Sequence, residues 1–277
     1  MNEFEEVMKA ALDALDRGET VALASVVQVR GSAPRHCGAR MIVWPDGRIA
    51  GTVGGATLEE KVILHAQEAL NNHRSRLEKY VFSTDDDPES VGLCGGEVLV
   101  SIEILESAPV LLVIGAGHIA LALSQMAPVL GMRLIVVDDR KEFLAPERFP
   151  QADQRIYVPY DRESGQLDSM PVSLTPSTYV LVATWGWDEP ALAQVLCTEV
   201  APAYVGLISS KTKWRVIRER LLARGVPPER ADQVRAPAGL DLGAETPGEI
   251  ALAILAEMQA IRRKRASLPL SKAHHQA

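Results

Sequence analysis

The sequence predicts an α/β protein with a parallel-sheet domain in its C-terminal half and a smaller α/β domain before it. Three observations carry this. From Val110 onward, uninterrupted apolar runs alternate with helical patterns, as in a parallel sheet covered on both faces. Between the first apolar run and the helix after it stands a G-x-G-x-x-A turn. Before residue 107 the pattern changes: residues 97–105 (E-V-L-V-S-I-E-I-L) alternate apolar and polar, the mark of a strand with one wet face.

In the first half, Phe4, Met8, Ala11, Leu12 and Leu15 recur at helical spacing and Gly18 ends the pattern. Residues 20–29 read as a strand, followed by the loop G-S-A-P-R-H-C-G at 31–38. Segments 40–44 and 48–53 form a hairpin about Pro45-Asp46-Gly47, a strong turn signal. G-G-A-T-L-E-E at 54–60 opens a helix running to about Leu70, and 77–83 reads as a further strand. The acidic run Thr84 to Ser90 is expected to be an exposed loop, and Glu106 to Pro109 the boundary. In the second half, strands are expected at 110–114, 133–137, 179–184 and 203–207, and helices near 118–130, 190–199, 211–224 and 247–263. Pro128 is expected to end the first of these helices early or kink it. The expected domains are 1–107 and 108–265, with a disordered tail at 266–277.

V-L-L-V-I-G-A-G-H-I-A-L-A-L (110–123) places the glycine motif between an apolar strand and an apolar helix. Gly115 permits the tight turn, Gly117 lets the backbone approach a pyrophosphate, and Ala120 allows close helix–strand packing. The second strand ends in Asp138-Asp139, and Asp138 lies 21 residues beyond Gly117, where an acidic residue commonly binds a ribose 2′-OH. This context defines a Rossmann-like fold. Arg140 is expected to hold a phosphate or to pair with Asp139; His118 meets a ligand or caps the helix start.

Composition excludes more than it assigns. The 277 residues are 47% apolar and 23% charged, an ordinary globular mix. A net charge of −7 does not suit a nucleic-acid partner, which needs a clear cationic face. No apolar run reaches the ~18 residues that span a bilayer. The three cysteines, Cys37, Cys94 and Cys197, are widely spaced and point away from a disulfide framework. An acidic start without a signal-peptide pattern then points to the cytoplasm. Cys197 falls in a helical pattern and is expected in the core.

Three loops carry more glycine than a bare connection needs. In Gly31-Ser32-Ala33-Pro34-Arg35, Ser32 and the amides cradle an anion and Arg35 clamps it, or the segment is an ordinary turn. Gly54-Gly55 before a helix lets a ligand reach the helical N–H groups. Cys94, beside Gly95-Gly96, is either a soft ligand or sulfur-handling thiolate, or a small buried hydrophobe. Asp241 lies between Leu240 and Leu242 and needs a partner if buried. Ser209, Ser210 and Lys211 close the 203–207 strand at its C-terminal end, where α/β sheets bind ligands.

Taken together, G-S-A-P-R (31–35), G-T-V-G-G-A-T-L-E (51–59), C-G-G (94–96), V-I-G-A-G-H-I-A (113–120), V-V-D-D-R (136–140), Y-V-G-L-I-S-S-K (204–211) and G-L-D-L-G-A-E-T-P-G-E-I-A (239–251) resemble the xanthine dehydrogenase accessory protein family of XdhC/CoxI type. G-T-V-G-G with L-E is closer to its xanthine dehydrogenase branch. The resemblance implies a maturation chaperone more than a catalyst. Such a protein binds the molybdenum cofactor (molybdopterin), keeps it available for sulfuration by a cysteine desulfurase, and helps insert it into a molybdenum hydroxylase client. It singles out Cys94 and the glycine loops as cofactor contacts, with Gly115, Gly117 and His118 on the Rossmann side. The expected arrangement has the cofactor in the cleft between the halves, its phosphate on the 51–56 and 115–118 amides and its metal near Cys94; a homodimer is also expected. The chain departs from the family pattern at Ala56, at Ser209, and at Trp185-Gly186-Trp187-Asp188 in place of a histidine-bearing segment. Two rival readings remain. One is an NAD(P)-dependent oxidoreductase, favoured by the turn and Asp138 but lacking a Tyr-Lys or His-Asp pair. The other is a regulatory scaffold with a vestigial Rossmann fold and a Trp185–Trp187 partner surface.

Overall fold

The structure, a computed structural model, describes residues 2–82, 91 and 95–264. The 84–90 segment, Cys94 and the 266–277 tail lie outside the described residues. The chain separates into two compact units, with the division between Ser107 and Ala108.

The first unit is an antiparallel sheet with a helix on each face. Its strands are β1 (Val21–Arg30), β2 (Arg40–Val43), β3 (Ile49–Gly51), β4 (Arg76–Val81) and β5 (Glu97–Leu105), in the order β3-β2-β1-β5-β4. Alternation along the strands sorts the side chains between two cores. Val21 and Ile42 face α1 (Glu3–Asp16), while Ala22, Ala24, Met41 and Val43 face α2 (Ala56–Asn72). The β2–β3 hairpin turns at Pro45-Asp46-Gly47, with Trp44 N–H donating to Arg48 C=O at 2.9 Å.

α1 forms where its spacing predicts, but its buried stripe is turned from the expected one and shares Ala11 with it. Val7, Ala11 and Ala14 contact the sheet, while Phe4 and Leu12 are 53% and 62% exposed. Small residues win because the helix lies close to Gly51, where an added Cβ would fall 2.4 Å from Val7 Cγ2. Leu12→Ser is therefore expected to change stability by less than about 0.5 kcal/mol. Val7→Asp, which buries a lone carboxylate, is expected to cost about 3 kcal/mol or more. Thermal denaturation of the two variants checks the assignment.

The second unit holds a parallel six-stranded sheet ordered β13-β12-β11-β6-β7-β8. The strands are β6 (Val110–Ile114), β7 (Arg133–Asp138), β8 (Gln154–Tyr157), β11 (Thr178–Val182), β12 (Tyr204–Leu207) and β13 (Val234–Arg235); β9 (Tyr160–Asp161) and β10 (Gln166–Leu167) form a separate small ribbon. Read from β8, the order is the doubly wound 3-2-1-4-5-6. Leu111 and Val113 pack under α3 (His118–Met126) and α7 (Pro247–Arg262). Leu112 and Ile114 pack under α4 (Asp188–Leu196), α5 (Lys211–Ala223) and the single turn α6 (Pro228–Ala231). With both faces covered, the strands need apolar side chains at every position. α3 stops at Met126 and continues as a 3₁₀ turn, Ala127–Leu130, because Pro128 cannot donate to an α-helical ladder. Cys197, expected in the core, is exposed at the C-cap of α4.

Candidate functional site

The carboxyl ends of β6, β7, β11 and β12 share one edge of the parallel sheet, and the order reverses between β6 and β11. That edge is where open α/β sheets bind ligands. The two glycines of the turn after β6 have different physical duties. Gly115 has φ +110°, and a Cβ there would meet Ala183 O at 2.2 Å. Its absence of side chain is demanded by the fold. Gly117 begins α3 with extended backbone, and a Cβ would meet nothing within 4 Å. The space over Gly117 and the exposed first residue His118 is open to a ligand.

Asp138 does not face that space. It is fully buried, and its carboxylate accepts from Ala116 N–H (2.6 Å), Arg140 N–H (2.9 Å), Arg140 Nε (2.8 Å) and Arg140 Nη2 (2.9 Å). A carboxylate offers about four acceptor sites, so none is left for a ribose. Arg140 is committed in turn. Its bond to Asp138 raises the guanidinium above its ordinary value, and the cation lies 3.6 Å from the Phe143 ring centroid. Asp139, paired with Arg140 only at 3.8 Å, accepts from Arg162 Nη2 (2.7 Å) and Trp187 Nε1 (3.1 Å).

The two tryptophans after β11 have opposite fates. Trp187 is 1% exposed and stacks on Tyr160, whereas Trp185 is 74% exposed under the Arg162 guanidinium. The joint tryptophan surface considered from the sequence is thus a single exposed ring. Beside it lies a network that sequence reasoning missed. Buried Asp188 accepts from Thr184 Oγ1 (2.6 Å) and Thr184 N–H (3.2 Å) and pairs with Lys213 of α5. The available signal was positional, since both groups start helices that follow parallel strands. Their pairing across 25 residues was not readable.

In the first unit the glycine loops meet through missing side chains. A Cβ on Gly96 would fall 2.2 Å from Ser32 O, and one on Gly31 would fall 3.0 Å from Gly96 Cα. Gly54, at φ +120°, lies against Arg35, whose Cγ would be 2.9 Å from a Cβ there. Gly31, Ser32, Arg35, Gly54, Gly95 and Gly96 are therefore brought together. Gly55 starts α2 and gives its first amides no side-chain cap. Arg35 is held by an ion pair with Glu3, so it serves an anion only by exchanging that partner. Gly54 N–H is shared by Thr52 Oγ1 (3.2 Å) and Glu59 (3.4 Å).

After β12, Ser209 and Lys211 line a pocket of about 480 Å³ whose far wall is the 237–244 segment. Asp241 is exposed on this wall and is not the buried carboxylate its apolar neighbours suggested. The described residues include no group of three or more His, Cys, Asp or Glu side chains placed to hold a metal ion. No described helix is long and apolar enough to cross a membrane.

The comparisons with known proteins agree with this fold. A model of the XdhC Rossmann domain matches residues 111–258. The chain belongs to the XdhC family. A second model, of the XdhC and CoxI family, matches residues 14–81. Among curated relatives, the uncharacterized protein YqeB of Escherichia coli (strain K12) is 35% identical over 95% of this chain, which spans only 46% of YqeB. Molybdenum cofactor insertion chaperone PaoD of the same organism is 27% identical over 92% of this chain and 88% of its own length. A probable xanthine dehydrogenase subunit of Bacillus subtilis (strain 168) is 24% identical over 95% of this chain and 99% of its own length.

Proposed function

We propose that this XdhC-family chain is a chaperone for the molybdenum cofactor, serving the maturation of a xanthine dehydrogenase-type molybdenum hydroxylase. The observation that carries the reading is the likeness to PaoD, a molybdenum cofactor insertion chaperone, over most of both chains. The geometry supports it in two places. The loops bearing Gly31, Gly54 and Gly96 pack against one another beside the uncapped start of α2, and the turn at Gly117 leaves backbone open. Both offer amides to an anionic, planar ligand without a large cationic patch, as a chain of net charge −7 requires. In this reading Cys94 supplies the soft sulfur near the metal, a cysteine desulfurase provides the terminal sulfur, and the protein acts in the cytoplasm as a homodimer. An NAD(P)-dependent oxidoreductase is the weaker reading, because Asp138 has no acceptor left for a ribose.

The test is retention. Purified protein mixed with cofactor released from a molybdenum enzyme is expected to hold the pterin through gel filtration, read by fluorescence after oxidation. Retention no greater than that of an unrelated Rossmann protein would overturn the reading. Cys94→Ala is expected to weaken delivery of sulfurated cofactor to the apo-hydroxylase by about tenfold or more, in line with loss of a metal-ligating thiolate. Equal delivery by the variant removes the thiol from the mechanism.

A further inference from the structure

The pocket at the end of β12 is lined wholly by residues of the second unit. Its far wall is built and held. Ala238 N–H donates to Leu207 O (3.0 Å), Gly239 N–H to Glu257 Oε2 (2.9 Å), and Leu240 N–H to Ala253 O (3.2 Å). Between that wall and α5 the lining is largely apolar, with Ile208, Leu240 and Ile250 among its residues. Three polar features interrupt it. Ser209 has a buried hydroxyl with no hydrogen-bond partner among the described residues. Such a group is rare, because burial without a partner is costly and each case needs an explanation. Lys211 is exposed at the first position of α5 and lines the pocket. The helix begins there with Ser210 capping Lys213 N–H, which leaves the amides of Lys211 and Thr212 directed at the anion-favouring end of the dipole. Asp241 stands exposed on the opposite wall, with its carboxylate turned to no hydrogen-bond partner among the described residues.

A cation with helical amides on one side and a carboxylate on the other, across an apolar slot, is a two-ended recognition device. We propose that this pocket binds a phosphate monoester of a 2-amino-4-oxopyrimidine-type ring, the chemistry shared by guanine nucleotides and pterin phosphates. The phosphate takes Lys211, the α5 amides and the Ser209 hydroxyl, which turns about one bond to donate. The ring lies on the apolar lining, and its adjacent N–H and amino groups donate to Asp241, which accepts only. The volume, about 480 Å³, is within the range of small-molecule sites. The pterin source rests on the function proposed above; the nucleotide source does not.

Calorimetry on the full chain with guanosine 5′-monophosphate, inosine 5′-monophosphate, guanosine and 6-hydroxymethylpterin phosphate tests this. At least one of the two aminopyrimidinone phosphates is expected to bind. Inosine monophosphate, which lacks the amino group, is expected to bind about tenfold more weakly than guanosine monophosphate, the loss of one charge-assisted contact, and guanosine, which forfeits every phosphate contact, about a hundredfold or more weakly. Tighter binding of the pterin phosphate assigns the site to pterins, and the reverse assigns it to nucleotides. Lys211→Glu is expected to abolish binding, and Asp241→Asn to erase the preference for the amino group. Both residues are exposed, so the fold is retained. Ser209→Ala is expected to weaken binding at an unchanged or higher melting temperature, since it deletes an unsatisfied hydroxyl. The proposal is overturned if neither phosphate binds, if affinity is indifferent to the phosphate or the amino group, or if the variants bind like the parent. Retention of released molybdenum cofactor alike by the parent and Lys211→Glu, with no binding of either small phosphate, sinks the pocket and leaves the chaperone reading standing.

Discussion

Gly115→Ala is expected to unfold much of the second unit at temperatures the parent tolerates. The added methyl carbon would sit 2.2 Å from Ala183 O and 2.6 Å from Ala183 C, both backbone atoms that cannot rotate away. The turn cannot retreat either. Gly115 N–H donates to Val137 O at 2.7 Å, and Ala183 N–H donates to Ile114 O at 2.8 Å, which ties the turn to β7 and to the end of β11. Adding the clash to a left-handed φ of +110° gives a loss of about 4 kcal/mol or more. For a unit of this size that lowers the melting temperature by on the order of 10 °C. Gly117→Ala is the control. Its Cβ meets nothing and its backbone is extended, so stability is expected to hold within about 0.5 kcal/mol. Calorimetric melting of both variants checks the pair. A Gly117→Ala protein that keeps its melting temperature but loses cofactor retention marks Gly117 as a glycine kept for a ligand.

Asp138→Ala is expected to behave as a stability mutant and not as a binding mutant. Removing the carboxylate leaves buried Ala116 N–H without an acceptor and Arg140 without its counter-ion. Breaking a fully buried pair costs about 3–5 kcal/mol. The Arg140 side chain is 24% exposed and regains some hydration, so the expected loss is about 2–4 kcal/mol, with the buried amide contributing about 1–3 of it. Chemical denaturation measures this directly. If Asp138 instead contacted a ribose, the variant would melt like the parent and lose nucleotide affinity, and that outcome would overturn the structural assignment.

These two positions illustrate what a sequence carries. Gly115 was legible because its demand is local: a strand, a reversal and a helix within ten residues admit few backbone conformations. The hairpin at Pro45-Asp46-Gly47 and the break at Pro128 were legible for the same reason. The parallel sheet followed from apolar runs such as Val110–Ile114, whose every position needs cover. Strands β8, β9, β10 and β13 were missed. They run two to four residues, lie at sheet edges or in a small ribbon, and are exposed or only partly buried at every position but Val234, so they lack a periodic apolar signal. The buried face of α1 was misread because spacing gives a helix's period, while the close approach of the sheet at Gly51 selects which stripe is small enough to fit. The Asp188–Lys213 pair and the orphaned Ser209 hydroxyl depend on what α4, α5 and the 237–244 wall bring to one strand end, which no local pattern encodes.

By itself, then, the sequence determined the Rossmann-like order of strand, glycine turn and helix, and the run of glycine loops that places the chain in its family. Those features rest on backbone conformation and hydrophobic period, which act over a few residues. Only the tertiary structure decided which glycine is steric and which is open, that Asp138 turns inward onto Ala116 and Arg140, and that Trp187 is core while Trp185 is surface. A carboxylate or an indole has the same local propensity whether it faces ligand, solvent or protein. Its direction is set by the partners that folding brings within reach.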